Sequence, residues 1–233
     1  MRIAVISDIH SNLEALQKAL EIIAQRNIDE IVCLGDTVGY GANPNECLDL
    51  VRSKTPYILL GNHDEAALDP SIARSFNRHA RDAAEWTALE LTDANKEFLK
   101  TLPCEVTLHD IYFVHSSPFE PSEWHYIITA ADAEKNFPKF SSRICFIGHS
   151  HEPFVYCDDG WTEEVIPGKR YIINVGSIGQ PRDHDPRLSF GIFDTGSGSY
   201  ENIRAEYDVK TASEKIRKAG LPVLLAERIL VGR

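Results

Sequence analysis

Ile3-Ala4-Val5-Ile6-Ser7-Asp8-Ile9-His10 decides how the chain is read: four consecutive apolar residues, a serine, then a carboxylate and an imidazole two positions apart. A short apolar run without alternation is what a strand buried on both faces requires. Ser11 or Asn12 suits a helix cap, and the stripe Leu13, Leu16, Leu20 and Ile23 predicts a helix reaching about Arg26. Ile31-Val32-Cys33-Leu34 repeats the strand signal. Pro44 opens a second helix with Cys47, Leu48 and Val51 inward, and Tyr57-Ile58-Leu59-Leu60 gives a third strand. Strand, helix, strand, helix, strand predicts a parallel sheet joined by right-handed crossovers.

Beyond this unit the pattern changes. Residues 65–102 are helical throughout, with Ile72, Phe76, Ala80, Ala83 and Ala84 on one stripe and Arg74, Arg78 and Arg81 on another. Shorter strands are expected at 105–109, 111–115, 143–147, 153–156, 171–175 and 188–193, the first two forming a hairpin about Asp110. A small helix at 130–137 interrupts them. Two more follow Asp208, separated at Gly220-Leu221-Pro222. No repeat, low-complexity tract or linker divides the chain, so one domain over residues 1–233 with a helical insert is expected.

Composition narrows the class. Of 233 residues, 43% are apolar and 25% charged, which excludes a disordered or fibrous chain. No apolar run approaches the ~18–20 residues of a membrane span, and the first is too short for the ~7–15-residue core of a signal peptide. A cytoplasmic protein is expected. The net charge of −11 repels a polyphosphate backbone and disfavours non-specific nucleic-acid binding. Five cysteines, odd in number and without a Cys-x-x-Cys pair, argue against a disulfide framework and a thiolate zinc site.

The apolar runs end alike. Asp8-Ile9-His10, Gly35-Asp36, Gly61-Asn62-His63-Asp64, His115 and Gly148-His149-Ser150-His151 each follow a strand candidate. In open α/β sheets that carboxyl edge binds ligands. Singly, each residue has an ordinary explanation: Asp8 as a helix cap, His10 as a loop residue, Asp36 and Asn62 as turn formers, His115 as a buried, hydrogen-bonded histidine. Together they would place two carboxylates, an amide and four histidines on one rim with no Lys or Arg beside them in sequence. Two carboxylates so placed repel unless cations lie between them, and divalent metals resolve the conflict.

These blocks, in this order, resemble the calcineurin-like metallophosphoesterases. Gly39-Tyr40-Gly41-Ala42-Asn43-Pro44 and Asn174-Val175-Gly176-Ser177-Ile178-Gly179-Gln180-Pro181-Arg182 look like the small bacterial branch often labelled diadenosine-tetraphosphatase-related. The resemblance implies a four-layer α/β/β/α sandwich of two mixed sheets; alternation alone indicates only the parallel half. It implies Asp8, His10 and His151 on one metal, Asn62, His115 and His149 on a second, and Asp36 shared. Metal pairs in such sites lie ~3.5–4 Å apart and turn a bridging water into a nucleophile near neutral pH. Imidazole, carboxylate and amide donors suit Mn²⁺, Fe or Zn²⁺ without choosing among them.

By the same resemblance His63 protonates the leaving oxygen and Asp64 orients its ring and keeps it protonated, although Asp64 is equally suited to cap the following helix. Arg182 could fork onto a phosphate oxygen or pair with Asp183 or Asp185. Arg78 and its neighbours, with Asn77 and His79, could form a lid over substrate or a solvated face. Trp86, Trp124 and Trp161 read as core or rim aromatics rather than base-stacking platforms. The function implied is hydrolysis of a small phosphate mono- or diester or nucleotide anhydride, specifically a dinucleotide polyphosphate in one version; a non-catalytic assembly scaffold on the same fold competes. Oligomeric state is not readable from these residues.

Overall fold

The computed structural model describes every residue except Glu163 and Pro167. The first half alternates as the sequence indicates: β1 (Arg2–Ile6), α1 (Leu13–Ala24), β2 (Glu30–Cys33), α2 (Pro44–Arg52) and β3 (Tyr57–Ile58). The insert comprises α3 (Asn62–Leu68), a 3-10 turn (Ile72–Ser75), α4 (Arg78–Glu90) and α5 (Asp93–Leu99). There follow β4 (Glu105–Leu108), β5 (Ile111–Val114), α6 (Ala130–Asn136), β6 (Ile144–Ile147), β7 (Phe154–Cys157), β8 (Gly160–Thr162), β9 (Tyr171–Asn174), β10 (Leu188–Asp194) and β11 (Tyr200–Ala205). Helices α7 (Val209–Lys218) and α8 (Val223–Arg228) close the chain.

Two mixed sheets result, in the order β11-β10-β1-β2-β3 and β4-β5-β6-β9-β7-β8. The β1 run is apolar throughout because both its faces are covered. Ile3 and Val5 meet Phe113, Phe146 and Ile173 of the other sheet, while Ala4 and Ile6 meet Leu16, Ala19 and Cys47 beneath α1 and α2. The far face of the second sheet is sealed by Ala133, Phe137 and Phe140 in and just after α6. Helix, sheet, sheet and helix thus stack as four layers, as the resemblance implied.

The β4–β5 hairpin turns at His109 and Asp110, both left-handed at φ 53° and 61°, the combination a two-residue turn needs to match strand twist. Two strands were not legible. β8 is three residues long, and β11 is an edge strand in which Ile203 alone is fully buried, so neither carries an apolar run. β3 keeps only Tyr57 and Ile58 of the expected four residues. The helix after it begins at Asn62, not residue 65, which puts Asn62, His63 and Asp64 on its first turn. The arginine stripe is cut where the 3-10 turn ends and Phe76 turns extended before α4.

Candidate metal centre

The carboxyl ends of β1, β2 and β3 in one sheet meet those of β5 and β6 in the other. Asp8, His10, Asp36, Asn62, His115, His149 and His151 all emerge there, each no more than 5% exposed. Five of them, Asp8, His10, Asp36, His149 and His151, hold left-handed backbone at φ between 49° and 66°. Such strain costs ~1–3 kcal/mol per residue and persists only where surroundings enforce it. Here they do. Backbone hydrogen bonds from Asp8 to Gly35, from His10 to Asp36 and from Gly179 to Asp8 stitch the loops together. Ser177 donates to the Asp8 carbonyl at 2.7 Å, which gives the Asn174–Arg182 segment its task.

Every imidazole in the cluster is oriented by a backbone carbonyl. His10 Nδ1 lies 3.1 Å from Val38 O, His115 Nδ1 3.2 Å from Leu34 O, and His151 Nδ1 2.6 Å from Gln180 O. His149 differs, with Nε2 held 3.0 Å from Trp124 O. A ring N–H given to a carbonyl fixes the tautomer and leaves the other nitrogen bare, as in metal-ligating histidines. The bare atoms then converge. His10 Nε2 and His151 Nε2 are 3.1 Å apart, and His115 Nε2 is 3.3 Å from Asn62 Oδ1. Lone pairs facing one another at such distances call for a cation between them.

The carboxylates complete the set. Asp8 Oδ2 accepts from His149 N at 3.0 Å, while Oδ1 is buried without a hydrogen-bond donor, 3.2 Å from His151 Nε2. Asp36 Oδ1 accepts from His63 N at 2.8 Å, and its Oδ2, equally orphaned, lies 3.6 Å from His10 Nε2 and 3.4 Å from His115 Nε2. Donor atoms of Asp8, His10, Asp36 and His151 lie within 4.8 Å of one another, and so do those of Asp36, His115 and His149. Asp36 belongs to both groups. Orphaned buried oxygens and bare imidazole nitrogens fit divalent metal ions.

Charge follows the same logic. Burial alone would raise the carboxyls of Asp8 and Asp36, yet neighbouring imidazoles, His151 and His115 foremost, outweigh it and hold both well below the usual range. Burial lowers His10, His149 and His151, His149 to about 3, and keeps them neutral as ligands must be. His115 is the exception. With no ion bound, Asp36 overcomes burial and holds a second proton on His115 up to about 9, so its Nε2 is bare only once a metal ion displaces that proton.

His63 lies against Tyr40 at 4.3 Å, Phe76 at 4.8 Å and His10 at 5.0 Å between ring centroids, and its Nδ1 has no partner. Burial pushes it down to about 4. Asp64, expected to orient that ring or to cap the helix, is not hydrogen-bonded to the ring. Its two oxygens accept the backbone N–H groups of Val38 and Gly61, both at 3.0 Å, so its geometry is that of the capping alternative. Burial, then Asp36, raises Asp64 to about 7.

Arg182 comes to the site. Asp183 and Asp185 pair with Arg204 instead, and Arg182 bonds Gln180 Oε1 at 2.9 Å while its buried Nε has no partner. Its guanidinium lies 5.8 Å from the Tyr40 ring, with that of Arg228 at 6.0 Å on the same ring. Arg228 was missed because nothing in a C-terminal helix signals which strand ends it will face. Tyr126 was missed likewise, and it stacks on His149 at 4.0 Å. Asn77, Arg78 and His79 have other partners in this structure. Asn77 caps α4 through Ala80 N, Arg78 is 89% exposed beside Asp82, and Arg78 and His79 line a groove with Leu221 and Pro222 whose walls contain no residue of the cluster. Arg81 bonds the carbonyls of Ala73, Arg74 and Phe76. Trp124 sits at the rim, edge-on to His115 at 5.8 Å.

A buried carboxylate–imidazole cage at the meeting edge of two sheets defines a protein that holds divalent metal. Residues 1–198 match the calcineurin-like phosphoesterase superfamily domain, and the chain belongs to that family. Over 245 aligned residues it is 41% identical to protein MJ0912 of Methanocaldococcus jannaschii, itself uncharacterised, covering 99% of this chain and 98% of that one. The crystal structure of a metallophosphoesterase from Sphaerobacter thermophilus matches at a TM-score of 0.89 and 38% identity, over 100% of this chain and 99% of that one. Protein PH1004 from Pyrococcus horikoshii OT3 shares the fold at a TM-score of 0.84 and 21% identity, over 100% of this chain and 98% of that one.

Proposed function

We propose that the chain hydrolyses a phosphate mono- or diester or a nucleotide anhydride at a two-metal centre. Asp8, His10 and His151 would hold one ion, Asn62, His115 and His149 the other, and Asp36 would be shared. The observation that carries this reading is the Asp36 carboxylate, common to both donor groups and bearing an oxygen with no other partner. When bound, the ions supply a nucleophile at neutral pH and offset charge on the phosphoryl oxygens, and Mn²⁺, Fe and Zn²⁺ all suit the donors.

The chain's own groups do the rest. Arg182, whose guanidinium stands 5.8 Å from the Tyr40 ring, receives a non-bridging oxygen. His63 passes a proton to the leaving oxygen, and an anionic substrate beside the ring favours the protonated form that burial alone disfavours. The −11 net charge is then no obstacle, since the local field is set by the metals and arginines. Among the described residues no helix is long and apolar enough to cross a membrane, and all five cysteines are free. The enzyme so proposed has one domain, works in the cytoplasm and acts on a small phosphorylated molecule.

Metal analysis of the purified protein, followed by hydrolysis of p-nitrophenyl phosphate and its bis ester under Mn²⁺, tests the proposal. Two equivalents of metal and turnover of at least one ester are expected, and Asp36→Asn should deplete both ions. No turnover would favour the scaffold reading; an Asp36→Asn protein that still holds two ions would refute the shared ligand.

A further inference from the structure

The loop after β6 runs Gly148-His149-Ser150-His151-Glu152, and its side chains divide between two places. His149 and His151 enter the donor cluster, whereas Ser150 and Glu152 line a separate cleft of about 400 Å³. Tyr126, Ile128, Phe154, Trp161 and Arg182 form its other walls. The volume falls within the ~300–1,000 Å³ of small-molecule sites and exceeds what a phosphate alone would fill.

Three observations tie the cleft to the metal centre. Tyr126 stacks on His149 at 4.0 Å with the planes 23° apart. Arg182 lines the cleft and also stands over Tyr40, the ring that packs on His63. Ser150 and Glu152 flank the ligands in sequence. Large apolar groups on its walls stand open to solvent: Trp161 is 53%, Tyr126 48% and Ile128 61% exposed. Trp161 packs edge-on against Phe154 and Tyr156 at 5.2 and 4.8 Å, which braces it without covering it. Exposed large apolar groups gathered around a hollow mark a binding surface.

We propose that this cleft receives a flat aromatic group attached to the reacting phosphate, so that the substrate is a nucleoside phosphate held base-first between Tyr126 and Trp161, with its phosphate at Arg182. The inference rests on the phosphoesterase reading above. Polarity fixes the direction. Glu152 would repel a second phosphate in the cleft, but its carboxylate accepts from the exocyclic amine of a base, and Ser150 Oγ offers a further polar contact. Among the described residues the one cationic wall, Arg182, lies where the cleft meets the metal centre. Stacking on aromatic side chains tolerates every base, so the preference is for nucleotides as a class.

The test compares adenosine 5′-monophosphate with ribose 5-phosphate, which share the phosphate and leaving oxygen and differ only in the base. Binding of each to the Mn²⁺-loaded full-length protein is measured by calorimetry, and kcat/KM for each in parallel. The nucleotide should bind about 5- to 150-fold more tightly, the usual worth of one stacked base. Trp161→Ala should shrink that ratio toward one with metal content unchanged, and Trp161→Phe should restore most of it. Equal binding of the two, or a ratio that survives Trp161→Ala, overturns the cleft assignment while leaving the phosphoesterase reading intact if either ester is hydrolysed. Base-dependent binding without hydrolysis of any phosphate ester supports the cleft and overturns the catalytic reading instead.

Discussion

Replacing Gly61 by alanine isolates what holds Asp36 in place. Gly61 has φ −105° and ψ 170°, extended backbone open to any residue, so torsional strain plays no part. The effect is collision: a Cβ there would fall on the Asp36 carboxylate and its backbone nitrogen, and neither is a flexible chain end. Overpacking of this kind destabilises by ~1–3 kcal/mol. In a chain of 233 residues each kcal/mol lowers Tm by ~2–4 °C, so Gly61→Ala should melt ~2–12 °C below wild type after EDTA treatment. Moving the carboxylate adds a second loss, ~10–100-fold in metal affinity if it resembles the loss of a supporting contact. Thermal melts with and without Mn²⁺ separate the two, and titration calorimetry reads the affinity. Gly160→Ala is the control, since Gly160 has φ +129° and open space around it. That variant should lose stability through its backbone alone and bind metal normally. Wild-type metal affinity in Gly61→Ala would show that the position of Asp36 does not govern binding.

Three further outcomes follow from the geometry. His63→Asn should retain both metals and lose ~10²–10⁴-fold in turnover, the usual worth of an acid–base group, and metal loss would mark the ring as a ligand. Asp64→Ala strips acceptors from the buried N–H groups of Val38 and Gly61. Denaturant melts should show a loss of ~1–3 kcal/mol per orphaned donor, whereas intact stability with lost turnover would return Asp64 to the ring-orienting role. Asp185 is drawn down to about 2 by its hydrogen bond to Arg187, with Arg204 nearby. Its folded pKa is depressed, so its contribution is complete above pH ~4 and lost as pH falls through about 2. The Tm difference between wild type and Asp185→Asn should narrow over that interval; a gap as wide at pH 2 as at pH ~5 would contradict the pairing.

What could be read from the sequence follows from burial. β1 is covered on both faces, so its apolar run shows plainly, and the polar residues beyond it stand out by contrast. The seven residues of the cluster were legible for that reason. β11 escaped notice because an edge strand needs few buried residues, and here Ile203 suffices. Arg74, Arg78 and Arg81 misled in the opposite way, as a continuous helix would align them but the extended Phe76 breaks the phase. Arg228 and Tyr126 meet the site only through packing between distant segments: α8 is carried there by Leu225, Ala226 and Ile229 against Tyr40. No spacing rule within the chain encodes such an approach.

The carbonyl of Leu34, at the end of a strand in one sheet, grips the ring of His115, which ends a strand in the other. Asn62 and Asp36 reach across the same seam to that ring. An ion held by these residues would act as a rivet through both halves of the sandwich. With both halves tied through it, the loaded protein should melt as one unit, and free metal should raise the melting point for both halves at once.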